Sequence, residues 1–368
     1  MTNLSDLFPA GAGKQVSFVA DGAISAAGKP VILNGAGTVT EVSGSSVLNG
    51  TVSNFLSANG AYSAVAYDTT NNQGLVVYRD NNAAIKGRII TVDSSNNITY
   101  GTETTIHTAS STTDTTAVYD STHQRYVVMF RDENTYGQAR TLSPSGTGGS
   151  AAFTVGNATY FPVSASNAIR ATFIDSCFDP DTGQVIVAFA DTSNSNHFYM
   201  SVGEVRTSPE DIPWGTAVAV DTGGACSSFS VTYDTTANRV LALWELDGTS
   251  GKAVVGTVTS GTIGSFGTGV NYTSNPYRPG AAYNVDNNCI LVLFRNDAVS
   301  NYLFAIGAKV DGSANSVVFG TAIAVTSEYS ESSVQGTTYS TASDKFTAAY
   351  YLAAGYQYRN FNVSSAAT

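Results

Sequence analysis

A single phrase, used six times, constrains this chain more than anything else in it. An aromatic, often followed by Asp, leads into a polar turn and then an apolar run that ends on a second aromatic. The copies run Tyr67-Asp68 to Tyr78, Tyr119-Asp120 to Phe130, Phe178-Asp179 to Phe189, Tyr233-Asp234 to Trp244, Tyr283-Asn284 to Phe294 and Tyr339-Ser340 to Tyr350. The two aromatics are eleven positions apart in every copy, and the first aromatics follow one another at about 50 to 60 residues. A period of that size is the scale of one blade of a propeller.

Each phrase reads as a hairpin. Asp, Asn, Thr and Gly supply the turn, as in Asp68-Thr69-Thr70-Asn71-Asn72, because their side chains bond nearby backbone or tolerate tight geometry. The second strand is apolar without alternation, as in Ile290-Leu291-Val292-Leu293-Phe294, which is the pattern of a strand buried on both faces. A second marker, aromatic-Gly-Thr, opens the latter half of four units: Tyr100-Gly101-Thr102, Trp214-Gly215-Thr216, Phe266-Gly267-Thr268 and Phe319-Gly320-Thr321. Unit two has a degraded version at Val155-Gly156-Asn157. Each unit thus offers four strands, the content of one blade.

The sixth unit stops early, with one strand-like run around 358–363 after Tyr350. Asn49-Gly50-Thr51-Val52 stands about as far before Tyr67 as the Gly-Thr markers stand before the next aromatic. The expectation is an all-β, six-bladed β-propeller of four-stranded blades over residues 46–368. Its last blade would be closed by this N-terminal strand, which removes the exposed edges of an open array. Residues 1–45 fall outside the repeat and form a short arm with a hairpin across Lys29 to Val39.

Composition agrees. Only 12% of the residues are charged, against 11% aromatic, and helix formers are scarce while β-formers abound. A net charge of −11 argues against a nucleic-acid partner, which needs clustered Lys and Arg. No apolar stretch approaches the length of a membrane span, and the N-terminus lacks a basic, apolar signal peptide. The odd set Cys177, Cys226 and Cys289 matches neither a disulfide framework nor a zinc pattern; these read as small core residues.

The chemistry is sparse. His107, His123 and His197 sit at unrelated points of the repeat. No GxSxG, HExxH or P-loop pattern occurs, and Asp179-Pro180-Asp181-Thr182-Gly183 begins like a calcium loop but lacks its closing Glu. The expectation is a non-enzymatic chain with no catalytic residue, metal or cofactor. What recurs instead is Arg-Asp after the second aromatic: Arg79-Asp80, Arg131-Asp132 and Arg295-Asn296-Asp297, with Asp191 and Asp247 at equivalent places and Asn194 and Asn196 beside them. In a ring these residues share one face, where they either cap turns or hold sugar hydroxyls.

The set Tyr-Asp…Val-Val-x-Tyr-Arg-Asp…Gly-Thr, with the opening Leu4-Ser5-Asp6-Leu7-Phe8-Pro9-Ala10-Gly11, resembles the repeats of virion and tail-fibre-like proteins of marine-type bacteriophages. The resemblance spans nearly the whole chain, although units two, three and six lose a marker. It implies a virion structural protein, a tail or head fibre component made in the host cytoplasm, that contacts host surface glycan or protein and can form a homo-oligomer. On that reading the arm docks on other virion proteins through Leu4, Leu7 and Phe8. A purely structural cap and a propeller glycoside hydrolase are the alternatives.

Overall fold

The computed structural model describes residues 31–33, 39–41, 61–93, 97–108, 111–161, 169–326, 332–341, 344–352 and 355–361, with backbone alone for 31–33, 39–41, 332–335 and 351–358. It divides into two units, Met1–Thr51 and Val52–Thr368. In the first, Val31–Leu33 pairs antiparallel with Val39–Glu41, the hairpin expected from the Gly-rich turn.

The second unit is a six-bladed β-propeller of antiparallel sheets, as the repeat predicts. Blade one runs Ala61–Asp68, Gln73–Arg79, Ile85–Val92 and a split outer strand, Ile98–Tyr100 with Thr104–His107. Blades two to five begin at Thr113–Asp120, Ala171–Asp179, Cys226–Asp234 and Pro276–Asn284. Blade six is described over Ser332–Ser340, Lys345–Leu352 and Gly355–Phe361. The strand expected near residues 49–52 to complete it lies outside the described residues, as does the boundary at residue 45. Among the described residues no helix is long and apolar enough to cross a membrane.

The first strands of successive blades lie side by side around the axis. The apolar second strands come next, and their two faces feed different cores. Tyr126, Val128 and Phe130 pack with Leu75, Val77 and Ile89 of blade one. Val127 and Met129, from the same strand, pack with Val185, Val187 and Phe189 of blade three. A strand wedged between two neighbours has no polar face to show, which is why its sequence does not alternate. The pattern repeats around to Leu291 and Leu293 against Phe346, Ala348 and Tyr350.

Both repeated markers have a physical cause. Asp68, Asp120, Asp179 and Asp234 are buried at the end of their strands, and each carboxylate accepts two amides of its own turn: Thr70 and Asn71 donate to Asp68 at 2.8 and 2.9 Å. Asp179 does the same for Asp181 and Thr182, so the calcium-like sequence is an Asx turn. The glycine of the second marker sits where the outer strand breaks and touches the next blade. A Cβ on Gly101 would overlap the carbonyl oxygen of Ala151, and one on Gly267 that of Asn315. Blade two reaches the same position through Gly156, whose amide bonds Thr141 O at 2.9 Å.

Candidate functional site

The six inner strands enclose a channel of about 380 Å³ lined mainly by small and hydroxylated residues. One level of it is formed by the residue three places before each first aromatic: Ala64, Thr116, Asp175, Ser230, Gly280 and Gly336. The level is lopsided. Blades two, three and four contribute Thr116, Asp175 and Ser230, whereas blades five, six and one contribute glycine or alanine. Opposite the one carboxyl of this level, the wall therefore has almost no side chain.

Asp175 is half-buried, and the surface it keeps faces the channel. Its Oδ2 accepts the Val231 amide of blade four at 3.0 Å. The Thr116 hydroxyl of blade two lies 3.4 Å from its Oδ1 and 2.9 Å from Ser176 Oγ. Burial pushes the Asp175 carboxyl up to about 6, against the lowering effect of the Val231 and Ser176 amides and the Thr116 hydroxyl. Its protonation state therefore changes close to neutral pH, the property required of an acid–base group.

Part of this arrangement is structural. An innermost strand has a free edge, and its amides need acceptors. In the next blade Ser230 Oγ performs the same task, accepting the Ala281 amide at 3.0 Å. A hydroxyl is thus sufficient for the blade-to-blade clamp. The carboxyl at Asp175 exceeds that need.

The channel opens, at the beginning of the inner strands, through a repeated irregularity. Between Ala61↔Arg79 and Ala64↔Val77 the register shifts, leaving Tyr62 and Ser63 opposite Tyr78. The same bulge faces Phe130, Phe189, Trp244 and Phe294, so the second aromatic of the phrase marks it. Its leading residue has positive φ in five blades: Tyr62 at 49°, Asp114 at 52°, Phe173 at 51°, Ser228 at 52° and Arg278 at 45°. None is glycine, although that conformation strains bulky residues such as Tyr62, Phe173 and Arg278.

The residues singled out by the Arg-Asp pattern lie at the ends of the second strands and in the loops that follow, on this same face. Asp80 accepts the Asn82 and Ala84 amides at 2.9 and 3.0 Å and pairs with Lys86 at 3.0 Å. Asp132, buried, accepts Asn134 and Tyr136 amides at 2.9 and 2.8 Å, and burial raises its carboxyl. Asp191 accepts the Ser193 amide at 2.9 Å, and Asp247 the Ala225 amide at 2.9 Å. Asn194 donates to Tyr199 Oη at 2.8 Å. Asn196, at φ 58°, joins the same corner through its backbone. Arg79 donates to Thr112 O at 2.9 Å and lies 4.5 Å from the Tyr62 ring centroid. Arg295 pairs with Asp297 at 2.6 Å and lies 4.0 Å from the Tyr277 ring. Arg131 is half-buried at the end of its strand. Asp80, Asp132 and Asp191 are thus held by amides of their own corners, Asp247 by the Ala225 amide and Asp297 by Arg295, and Arg79 and Arg295 are drawn onto aromatics of the channel mouth. Leu4, Leu7 and Phe8 lie outside the described residues.

The histidines do not converge: His107 meets Glu133 at 3.0 Å and His123 meets Asp120 at 2.7 Å. The three cysteines are free, and burial pushes the Cys226 thiol up to about 12. Sequence reasoning missed Asp175 because it looked for clustered carboxylates. The signal available was the column three places before the first aromatic, where one repeat alone carries a charge.

No protein-family model and no curated protein sequence matches the chain. Among solved structures, the periplasmic gluconolactonase of Pseudomonas aeruginosa superposes with a TM-score of 0.56 at 15% identity, covering 92% of each chain. A putative 6-phosphogluconolactonase from Bacteroides uniformis gives 0.54 at 10% identity, over 82% of this chain and 85% of that one. Its counterpart from Bacteroides fragilis gives 0.54 at 10% identity, over 83% and 85%. Likeness at this identity establishes the fold. It also corrects the expectation of a non-enzymatic virion structural protein: the solved propellers that superpose on this chain include a gluconolactonase and two putative 6-phosphogluconolactonases, so the missing catalytic motifs do not carry a non-enzymatic reading. The chain is similar in fold to lactonase-type β-propellers.

Proposed function

We propose that the channel is the active site of a hydrolase-type propeller acting on a small, hydroxylated ester or lactone. The observation that carries this reading is Asp175: one carboxyl, raised to about 6, faces a channel of about 380 Å³. Room for a sugar-sized ring lies on the side of Gly280, Gly336 and Ala64. Hydroxyls of Thr115, Thr116, Ser176 and Ser63 supply hydrogen bonds of the kind a polyol needs.

In this mechanism ionised Asp175 takes a proton from a water held beside it. The water oxygen bonds to the carbonyl carbon of the ester. The carbon–oxygen bond to the leaving alkoxide then breaks, and that oxygen receives the proton from Asp175, giving a hydroxy acid. The Thr116–Ser176 hydroxyl pair lies next to Oδ1 and orients the carboxyl.

The test is hydrolysis of glucono-1,5-lactone above its spontaneous rate, followed by proton release, with wild-type protein, Asp175→Asn and Asp175→Ser. The reading expects activity in the wild type, rising with pH through about 6, and loss in both variants. Equal rates in all three would remove it.

A further inference from the structure

The bulge residues at the channel mouth remain unexplained by a site that ends at Asp175. Five blades place a non-glycine residue at positive φ at one equivalent position, each directly before the segment that lines the channel. Two are large aromatics with much of their surface free, Tyr62 at 44% and Phe173 at 41% exposed. Neither ring belongs to a buried core cluster, and a glycine would relieve the backbone. Strain kept at five equivalent positions around a channel mouth marks a surface shaped for contact.

The chemistry of the collar is specific. Phe173 offers an apolar ring, and Tyr62 a ring partly covered by Arg79. Tyr277 is capped by Arg295 at 4.0 Å and approached by Arg278 at 5.2 Å, and Arg79 lies 4.5 Å from Tyr62. Between them stand Asp114, whose carboxylate accepts Thr113 and Thr172 hydroxyls at 2.9 and 3.4 Å, and Ser228. Flat apolar faces alternating with polar groups match a pyranose, which has an apolar C–H face and a rim of hydroxyls.

The geometry points to a substrate larger than one sugar: an aldonolactone that carries at least one further glycosyl unit, the lactone ring in the channel and the glycosyl unit on the collar. This inference rests on the reading of the channel as a lactone site. The collar acts as a positioning surface, setting affinity rather than chemistry.

The probes are cellobiono-1,5-lactone as substrate and cellotetraose as a non-reacting ligand. Tyr62→Gly and Phe173→Gly remove the rings while suiting the positive φ, so the thermal midpoint should hold or rise. Each variant is expected to raise KM for cellobionolactone about five- to tenfold with kcat unchanged, and to leave KM for gluconolactone as it is. Cellotetraose should bind wild type and Asp175→Asn alike and weaken on both glycine variants. Unchanged KM and unchanged cellotetraose binding in the two glycine variants would overturn the collar and leave the channel reading standing. Loss of turnover in no Asp175 variant, with cellotetraose binding intact, would remove the channel reading instead.

Discussion

Asp175 of blade three accepts the Val231 amide of blade four at 3.0 Å, while one blade on Ser230 accepts the Ala281 amide at the same distance. The two side chains do the same mechanical work with different chemistry, and this separates what the ring needs from what the channel needs.

Asp175→Ser should therefore fold. It restores the hydroxyl clamp used by Ser230, so at pH 4, where Asp175 is protonated in the fold, its stability should stay within about 1 kcal/mol of wild type. Asp175→Leu, which leaves the Val231 amide without an acceptor, should lose about 1–3 kcal/mol. Urea melts of the two variants check the difference.

The raised carboxyl also fixes the sign of a pH dependence. A folded-state value of about 6 against an ordinary 3.8 means that the folded protein holds this proton more tightly than the unfolded chain. Its contribution is fully present below about pH 4 and is lost as pH rises through about 6, by up to ~3 kcal/mol. Asp175→Asn, which cannot ionise, should match wild type near pH 4 and exceed it at pH 8. A variant no more stable than wild type at pH 8 would contradict the half-buried, ionising carboxyl.

Gly267 lies against the carbonyl of Asn315 in the neighbouring blade, and a Cβ would overlap it. Gly267→Ala should cost about 1–3 kcal/mol by prising two blades apart. Gly264→Ala, with nothing near its Cβ position, serves as the control and should stay within about 0.5 kcal/mol. Thermal melts of both report the contrast.

Asp132 satisfies two amides of its own corner while 2% exposed. Asp132→Ala should destabilise by about 2–4 kcal/mol, since both donors lose their acceptor. Asp132→Asn keeps an acceptor and should be nearly neutral or mildly stabilising at neutral pH, because burial already disfavours the charge. Chemical denaturation separates this corner role from a ligand-binding role, which both substitutions would disturb equally.

Much of the architecture was legible in the residues. The eleven-residue aromatic spacing marked a hairpin, and the structure shows its cause: the second aromatic sits opposite the bulge while the first stitches blades, as when Tyr283 Oη reaches Thr236 Oγ1 at 2.7 Å in the preceding blade. The unalternating runs announced strands buried on both faces. The Arg-Asp pattern was visible too, but Asp80, Asp132 and Asp191 are held by amides of their own turns, because an Asp two residues before an amide in a tight corner is captured by its own backbone.

The eleven-residue hairpin spacing, the turn chemistry and the unalternating strands were set by the sequence alone, since each depends on neighbours within a dozen residues. Which strand faces the axis, and that Asp175 stands among Thr116, Ser230 and two glycines, was decided only in three dimensions. Those residues are some 50 to 60 positions apart, and only the curvature of six packed sheets brings them onto one level. Burial in that ring, rather than any motif, raises the Asp175 carboxyl toward neutrality.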